Sequence, residues 1–223
     1  MDRDITVALV GNPNSGKTTV INNLTGAHQY VGNWPGVTVE RKEGKLDYNG
    51  YHLRVVDLPG VYSLTAYSLD EVIARNFVMD DKPDVVVNIV DASNLERNLY
   101  LTVQFLEMGA PVVVALNMMD EAERKRYQID VLRLSHLLGV PVVPMSANRN
   151  RGTKELVKEI VNVAEKRHRR TGFKIEYRRE IEGEISRLES LISKTGLGNA
   201  FPPRWLAVKL LEEDEDVVRK FRE

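Results

Sequence analysis

The segment Gly11-Asn-Pro-Asn-Ser-Gly16-Lys17-Thr18 constrains this chain more than any other. It follows an apolar run, Ile5–Val10, and precedes a helical pattern, Lys17–Leu24, so it joins a buried strand to a helix N-terminus. Its glycines let the backbone wrap until successive N–H groups point inward at one spot, and the helix start adds partial positive charge there. The pattern implies a cradle for phosphate groups made of Gly11, Asn12, Pro13, Asn14, Ser15, Gly16, Lys17, Thr18 and Thr19. Within it, Lys17 supplies a point charge to the β- and γ-phosphates, and the Thr18 hydroxyl is placed to ligate Mg²⁺.

Apolar, β-branched runs of strand length recur along the chain at Ile5–Val10, Tyr51–Val56, Val85–Val90, Val112–Leu116 and Val140–Val143. Continuous apolar runs suit strands covered on both faces, as in a parallel sheet. A more polar run from about Val37 to Tyr48 reads as an edge strand, joined to Tyr51–Val56 through the hairpin dipeptide Asn49-Gly50. Helical periods fill the gaps at Lys17–Leu24, Leu69–Met79, Leu95–Met108, Val131–Leu138 and Thr153–Arg167. This alternation predicts a doubly wound, mostly parallel α/β sheet of six or seven strands with one antiparallel edge pair over residues 1–168. Beyond it, Tyr177–Lys194 and Trp205–Glu213 predict a small all-helical unit over residues 169–223.

Composition narrows the function classes. The 223 residues include 31 basic and 32 acidic side chains, a net charge of −1, which argues against a general nucleic-acid binder. No cysteine is present, so disulfides and thiolate metal sites are excluded, and the four histidines are scattered. No apolar stretch approaches the roughly 20 residues of a membrane span, and no leader pattern precedes the first strand.

Three further segments complete a binding site. Asp57-Leu-Pro-Gly60 ends the Tyr51–Val56 strand, where Asp57 faces the same crevice and can hold the Mg²⁺ shell, through water, while Gly60 offers its N–H to a γ-phosphate. Asn117-Met-Met-Asp120 ends the Val112–Leu116 strand. The Asp120 carboxylate can accept two hydrogen bonds from guanine, N1–H and the 2-amino group, where adenine has no donor. Asn117 is expected to tie this segment to the phosphate loop, and Met118 to cover the base face. Ser146-Ala147-Asn148 offers the Ala147 N–H to the guanine carbonyl oxygen. Taken together these segments imply GTP or GDP with Mg²⁺, and hydrolysis involving Lys17 and Gly60, to which the resemblance described next adds Asn14 and Thr38.

In this order, the four segments resemble the guanine-nucleotide motifs of Ras-like, translation-factor-class P-loop GTPases. That resemblance implies a switch threonine completing the Mg²⁺ shell; Thr25 and Thr38 are the candidates, and Thr38, just before the edge strand, is preferred. Asn33-Trp-Pro-Gly-Val-Thr-Val-Glu40, with the other motifs, is similar to the N-terminal G domain of the prokaryotic ferrous-iron transport protein B family. Pro203-Arg-Trp-Leu-Ala-Val-Lys-Leu-Leu211 resembles that family's helical, guanine-dissociation-inhibitor-like domain. The resemblance implies a following membrane domain as partner, a place at the cytoplasmic face of a prokaryotic cell membrane, and a role in Fe(II) uptake. It also admits a homo-oligomer and a small accessory transport protein as partners, and no nucleic acid. An alternative is a soluble ribosome-assembly or tRNA-modification GTPase switch.

Several residues carry their own expectations. Val61 stands where Ras-like enzymes have a water-orienting glutamine, so intrinsic hydrolysis is expected to be slow. By resemblance to potassium-activated relatives, Asn14 helps to hold K⁺ together with the carbonyls near Gly32 and Trp34. Met118 replaces a common lysine, implying modest affinity and fast nucleotide release. Trp34, beside Asn33, Pro35 and Gly36, is expected to cover the nucleotide or a partner and not to enter the core. Tyr62 and Tyr67 are assigned to a second mobile segment, Lys166–Arg170 to a helix end, and Glu212–Asp216 to a solvated helix terminus.

Overall fold

The structure, a computed structural model, describes residues 3–26, 29–65, 67–166, 174–195 and 202–220. Its seven strands are β1 (Arg3–Gly11), β2 (Gln29–Asn33), β3 (Glu40–Tyr48), β4 (Tyr51–Asp57), β5 (Val85–Asp91), β6 (Val112–Asn117) and β7 (Val142–Pro144). They form one sheet in the order β2-β3-β4-β1-β5-β6-β7. From β4 through β7 the neighbours run parallel, while β2, β3 and β4 pair antiparallel. Asn49 and Gly50 both take positive φ (48° and 80°) between β3 and β4, the backbone that a two-residue hairpin needs.

The central strands are covered on both faces, which is why their sequences read as continuous apolar runs. Along β1, Ala8 and Val10 enter one core, and Val7 and Leu9 enter the other. Helices α1 (Lys17–Thr25) and α6 (Thr153–Glu165) cover the second face with Ile21, Leu24, Leu156 and Ile160. The first face receives α2 (Leu69–Asn76), α3 (Leu95–Glu107) and α5 (Val131–Leu138) through Ala74, Leu101, Phe105 and Leu138. Each leucine, isoleucine or phenylalanine among them contributes about 1.5–3 kcal/mol when fully buried. The C-terminus of α5 ends on Gly139 at φ 69°, whose N–H caps Ser135.

The expected architecture holds, with local differences that have physical causes. Strand β2 escapes sequence reading because Gln29-Tyr-Val-Gly-Asn33 is short, carries a glycine and is polar at both ends. It adds a second antiparallel pairing at the sheet edge. Strand β3 starts at Glu40, not Val37. Trp34 donates its N–H to the Val39 carbonyl (2.9 Å) and Val37 donates to the Trp34 carbonyl (3.2 Å), closing a turn instead. The helix expected to reach Met79 is α-helical only to Asn76; Phe77–Asp81 forms a π-helical turn that ends at Lys82 with φ 46°. Helices α4 (Met119–Arg124) and α9 (Glu215–Lys220) are too short to show a period.

Helices α7 (Arg179–Thr195), α8 (Pro203–Leu211) and α9 pack around Ile185, Ile192, Trp205 and Leu206, joined by Met79 and Met108 from the sheet domain. Two polar ties cross the same boundary. The Arg75 guanidinium of α2, fully buried, lies against the carboxylates of Asp214 (2.8 Å) and Asp216. The Tyr177 hydroxyl donates to Glu107 of α3 (3.0 Å); burial raises the Glu107 carboxyl, and burial together with that carboxylate raises the Tyr177 phenol. Asp214 and Asp216 therefore correct the expectation of a solvated acidic terminus: a buried cation cannot stand alone, and these carboxylates neutralise it. Of the run Lys166–Arg170, all but Lys166 lies outside the described residues. No helix among the described residues is long and apolar enough to cross a membrane.

Candidate functional site

The carboxyl edges of β1, β4 and β6 carry Gly11, Asp57 and Asn117, and the chain leaves β7 into Ser146. Doubly wound sheets bind ligands along this edge. The phosphate loop wraps between β1 and α1, with Ser15 N–H bonded to the Asn12 carbonyl (3.1 Å). Gly16 is required twice over. Its φ is 88°, and a Cβ there would sit 2.3 Å from the Asn117 amide nitrogen. The Cε of Met118 lies 3.7 Å from the same point, so this side chain reaches back over the loop from a backbone with φ 59°.

Lys17 extends from the start of α1 and forms an ion pair with Asp57 at the end of β4. Both side chains are mostly shielded from solvent. Burial pushes the Asp57 carboxyl up, and the Lys17 ammonium pulls it partly back. The backbone after Asp57 runs alongside the loop: Leu58 N–H donates to the Leu9 carbonyl (2.9 Å) and Val61 N–H to the Gly11 carbonyl (3.2 Å). Between them, a Cβ on Gly60 would meet the Pro13 backbone at an ordinary 3.5 Å, so packing alone does not demand glycine there. Val61 itself is buried in the first core.

Asn117 binds the two halves of the site together. Its Nδ2 donates to the Ser15 carbonyl (3.0 Å), and its Oδ1 accepts from the Ala147 N–H (2.9 Å). The donor expected to face a guanine carbonyl is thus already engaged by Asn117. Asp120, 7 % exposed, accepts from the Asn148 amide (3.1 Å), with the Arg149 guanidinium 3.5 Å away. The Asn148 hydrogen bond chiefly, and Arg149 in addition, lower the Asp120 pKa, so the carboxylate is held ionised. Asn148 therefore orients the acid. Asn23 of α1 donates to the Ala147 carbonyl (2.8 Å), fixing the same loop from the other side.

These elements bring Lys17, Asp57, Asn117, Asp120, Ala147 and Asn148 to one edge. Thr18 and Asn14 lie exposed on the phosphate loop, Asn14 with φ 65°. Thr38 is exposed and makes no hydrogen bond to any described residue. The other threonine candidate, Thr25, is buried and donates to the Ile21 carbonyl (2.8 Å), which removes it from consideration. Gly32 is paired in β2 opposite Arg41, and the Trp34 carbonyl accepts the Val37 N–H.

Trp34 corrects the expectation of a surface aromatic. It is 7 % exposed, sits in the first core, packs its ring edge-to-face on Phe77 (5.6 Å) and carries Arg41 over its face (4.6 Å). Polar and glycine neighbours say little about a side chain that turns inward from a tight turn. Tyr62 is half-exposed beneath Arg97 (4.1 Å), and Tyr67 projects into solvent. Sequence reasoning missed Glu71, whose carboxylate gathers Ser63, Thr65, Tyr67 and Ser68 in front of α2. The Ser68-x-x-Glu71 spacing of a capping box was the available signal. It also missed Asn23, Arg75 and Arg149, which no spacing reveals.

The donor set suits a hard divalent cation, since a threonine hydroxyl and a carboxylate beside a phosphate cradle leave room for phosphate oxygens and water, as Mg²⁺ prefers. Among the described residues, no three His, Asp or Glu side chains assemble a metal site by themselves.

Comparison with known proteins agrees over nearly the whole chain. The profile of the family described as "Ferrous iron transport protein B" matches residues 5–160, and that of the "FeoB cytosolic helical domain" matches residues 177–223. An Fe(2+) transporter FeoB of Methanocaldococcus jannaschii is 51 % identical over 95 % of this chain and 31 % of its own length. The Fe(2+) transport protein A/Fe(2+) transporter FeoB fusion protein of Porphyromonas gingivalis is 45 % identical over 96 % of this chain and 26 % of its own. The chain thus spans about a third or less of the length of these relatives. Among solved structures, the cytosolic domain of the T. maritima FeoB iron transporter in its GMPPNP form superposes with TM-score 0.90 at 40 % identity, covering 97 % of this chain and 84 % of that one. From these matches and the geometry of the site, the chain belongs to the ferrous iron transport protein B family and carries its G domain followed by its cytosolic helical domain.

Proposed function

We propose that this chain, the GTPase part of a larger transporter, binds Mg²⁺ and GTP at the β1-β4-β6 edge and hydrolyses GTP to regulate or drive Fe(II) uptake by an attached membrane domain. The single observation that supports it is Asn117, which joins the Ser15 carbonyl of the phosphate cradle to Ala147 of the base-reading loop, beside an ionised Asp120. Relatives point the same way: the T. maritima domain is described in GDP and GMPPNP forms. The family match leaves the RNA-factor alternative without support.

In this reading Asp120 accepts hydrogen bonds from the guanine N1–H and 2-amino group, and Ala147 shares its N–H between Asn117 and the base carbonyl. Lys17 would leave Asp57 for the β- and γ-phosphates, and Asp57 would then be free to hold the shell of the cation. Thr18 and Thr38 would supply hydroxyl oxygens to Mg²⁺, which would neutralise phosphate charge. Val61 offers no hydrogen bond to an attacking water, so hydrolysis is slow. Asn14, with carbonyls at Gly32 and Trp34, would hold a K⁺ ion, whose charge would take the part an arginine plays. Residues 1–168 act as the switching unit and residues 169–223 pass its state onward at the cytoplasmic membrane face.

Phosphate release from GTP in KCl and in NaCl at equal ionic strength tests this. Faster turnover in KCl, lost in Asn14→Ala, is expected; equal rates remove the K⁺ role. In the whole transporter, Lys17→Ala is expected to abolish GTP-dependent Fe(II) uptake, and unchanged uptake contradicts the proposal.

A further inference from the structure

Trp34 occupies an unusual seat. It lies on the turn between β2 and β3, next to exposed Asn33, Pro35, Gly36 and Thr38, yet its indole is buried with Leu58, Val61 and Leu64 of the segment that follows Asp57. Phe77, in the π-helical turn after α2, closes its edge, and Arg41 of β3 covers its face. The seat is imperfect: neither the indole Nε1 nor the Arg41 Nε, both buried, has a hydrogen-bond partner. Unpaired buried donors weaken the state that contains them. Two backbone hydrogen bonds, Trp34 N–H to Val39 and Val37 N–H to Trp34, tie the position of Thr38 to that of the indole.

We infer that Trp34 is a specificity-determining residue that sets the preference between di- and triphosphate by holding Thr38 away from the cation until the indole leaves its seat. This rests on the proposed role of Thr38 as a Mg²⁺ ligand in the triphosphate state. A turn pinned by a buried indole cannot carry Thr38 into a metal shell without moving the ring, whereas a diphosphate makes no such demand. Only a ligand with different affinity for the two arrangements shifts their populations, so the triphosphate must work against the Trp34 seat and the diphosphate need not. Since the indole shares one core with Val61 and Leu64, its departure also loosens the segment after Asp57, and the Trp34 turn and that segment respond together.

The chain has two tryptophans, Trp34 and Trp205, so protein labelled with 5-fluorotryptophan gives two ¹⁹F signals, assigned with Trp205→Phe. With Mg·GDP both signals should keep buried shifts. With Mg·GMPPNP the Trp34 signal should move and acquire a solvent isotope shift, while the Trp205 signal stays. In Trp34→Ala, the affinity for Mg·GMPPNP relative to Mg·GDP should rise at least about threefold; a merely structural role lowers both together. A Trp34 signal that stays buried with Mg·GMPPNP bound overturns the inference alone. Failure of Mg·GMPPNP to bind at all overturns the functional reading as well.

Discussion

Lys17 and Asp57, forty positions apart, form an ion pair at the mouth of the phosphate loop. Each is also the group that a magnesium nucleotide needs, Lys17 for phosphate and Asp57 for the cation. The pair therefore competes with the ligand. Asp57→Ala frees the ammonium and removes a negative charge beside the phosphates. GDP measured in EDTA should then bind several-fold more tightly than to the wild type, and the gain from adding Mg²⁺ should disappear. Titration of GDP with and without Mg²⁺ checks both halves; an unchanged Mg²⁺ gain contradicts the assignment of Asp57.

Asp120 is held ionised by Asn148 and Arg149, ready to accept two hydrogen bonds from one base edge. In Asp120→Asn, two charge-assisted hydrogen bonds are lost, and GTP affinity should fall by about 3–4 kcal/mol, several hundred-fold. Xanthosine triphosphate, which presents a carbonyl in place of the 2-amino group, should bind the variant better than GTP does. Competition between the two nucleotides reads this directly.

Arg75 joins the sheet domain to the C-terminal helices through Asp214 and Asp216. Arg75→Met leaves the shielded Asp214 carboxylate without a cation and Asp216 with only the exposed Arg219, a loss of about 3–5 kcal/mol in stability. Urea unfolding followed by Trp205 fluorescence should show it. A loss below about 1 kcal/mol, the worth of a surface pair, contradicts the buried geometry.

The helical unit should also be sensitive to acid. Arg204, bonded to both Glu182 oxygens, lowers the Glu182 carboxyl from 4.5 to about 2. A depressed carboxyl contributes stability that is fully present above 4.5 and lost as pH falls toward about 2. Urea midpoints across this window should fall more steeply for the wild type than for Glu182→Gln; parallel curves contradict the pairing.

How far the sequence speaks depends on whether the signal is local. The phosphate loop, Asp57, Asn117 and Asp120 stand at strand ends, where an apolar run breaks into a polar motif, so both fold and site are legible there. Strand β2 is held by pairing with β3 more than by its own composition. Trp34 reads as a surface residue because its neighbours are Asn33 and Pro35, yet Phe77 and Arg41, distant in sequence, decide its burial. The acidic run ending at Asp216 looks solvated until Arg75 arrives from α2. In each case the missing information lay in a partner that no periodicity brings near.

The central claim is that one edge of this sheet holds a phosphate cradle and a guanine-reading carboxylate around the same nucleotide. Competition of Mg·GDP against Mg·ADP for the purified chain tests it most directly. The account predicts that GDP is preferred by about 10⁴-fold, because adenine offers no donor to the Asp120 carboxylate where guanine offers two. Equal binding of the two nucleotides would contradict it.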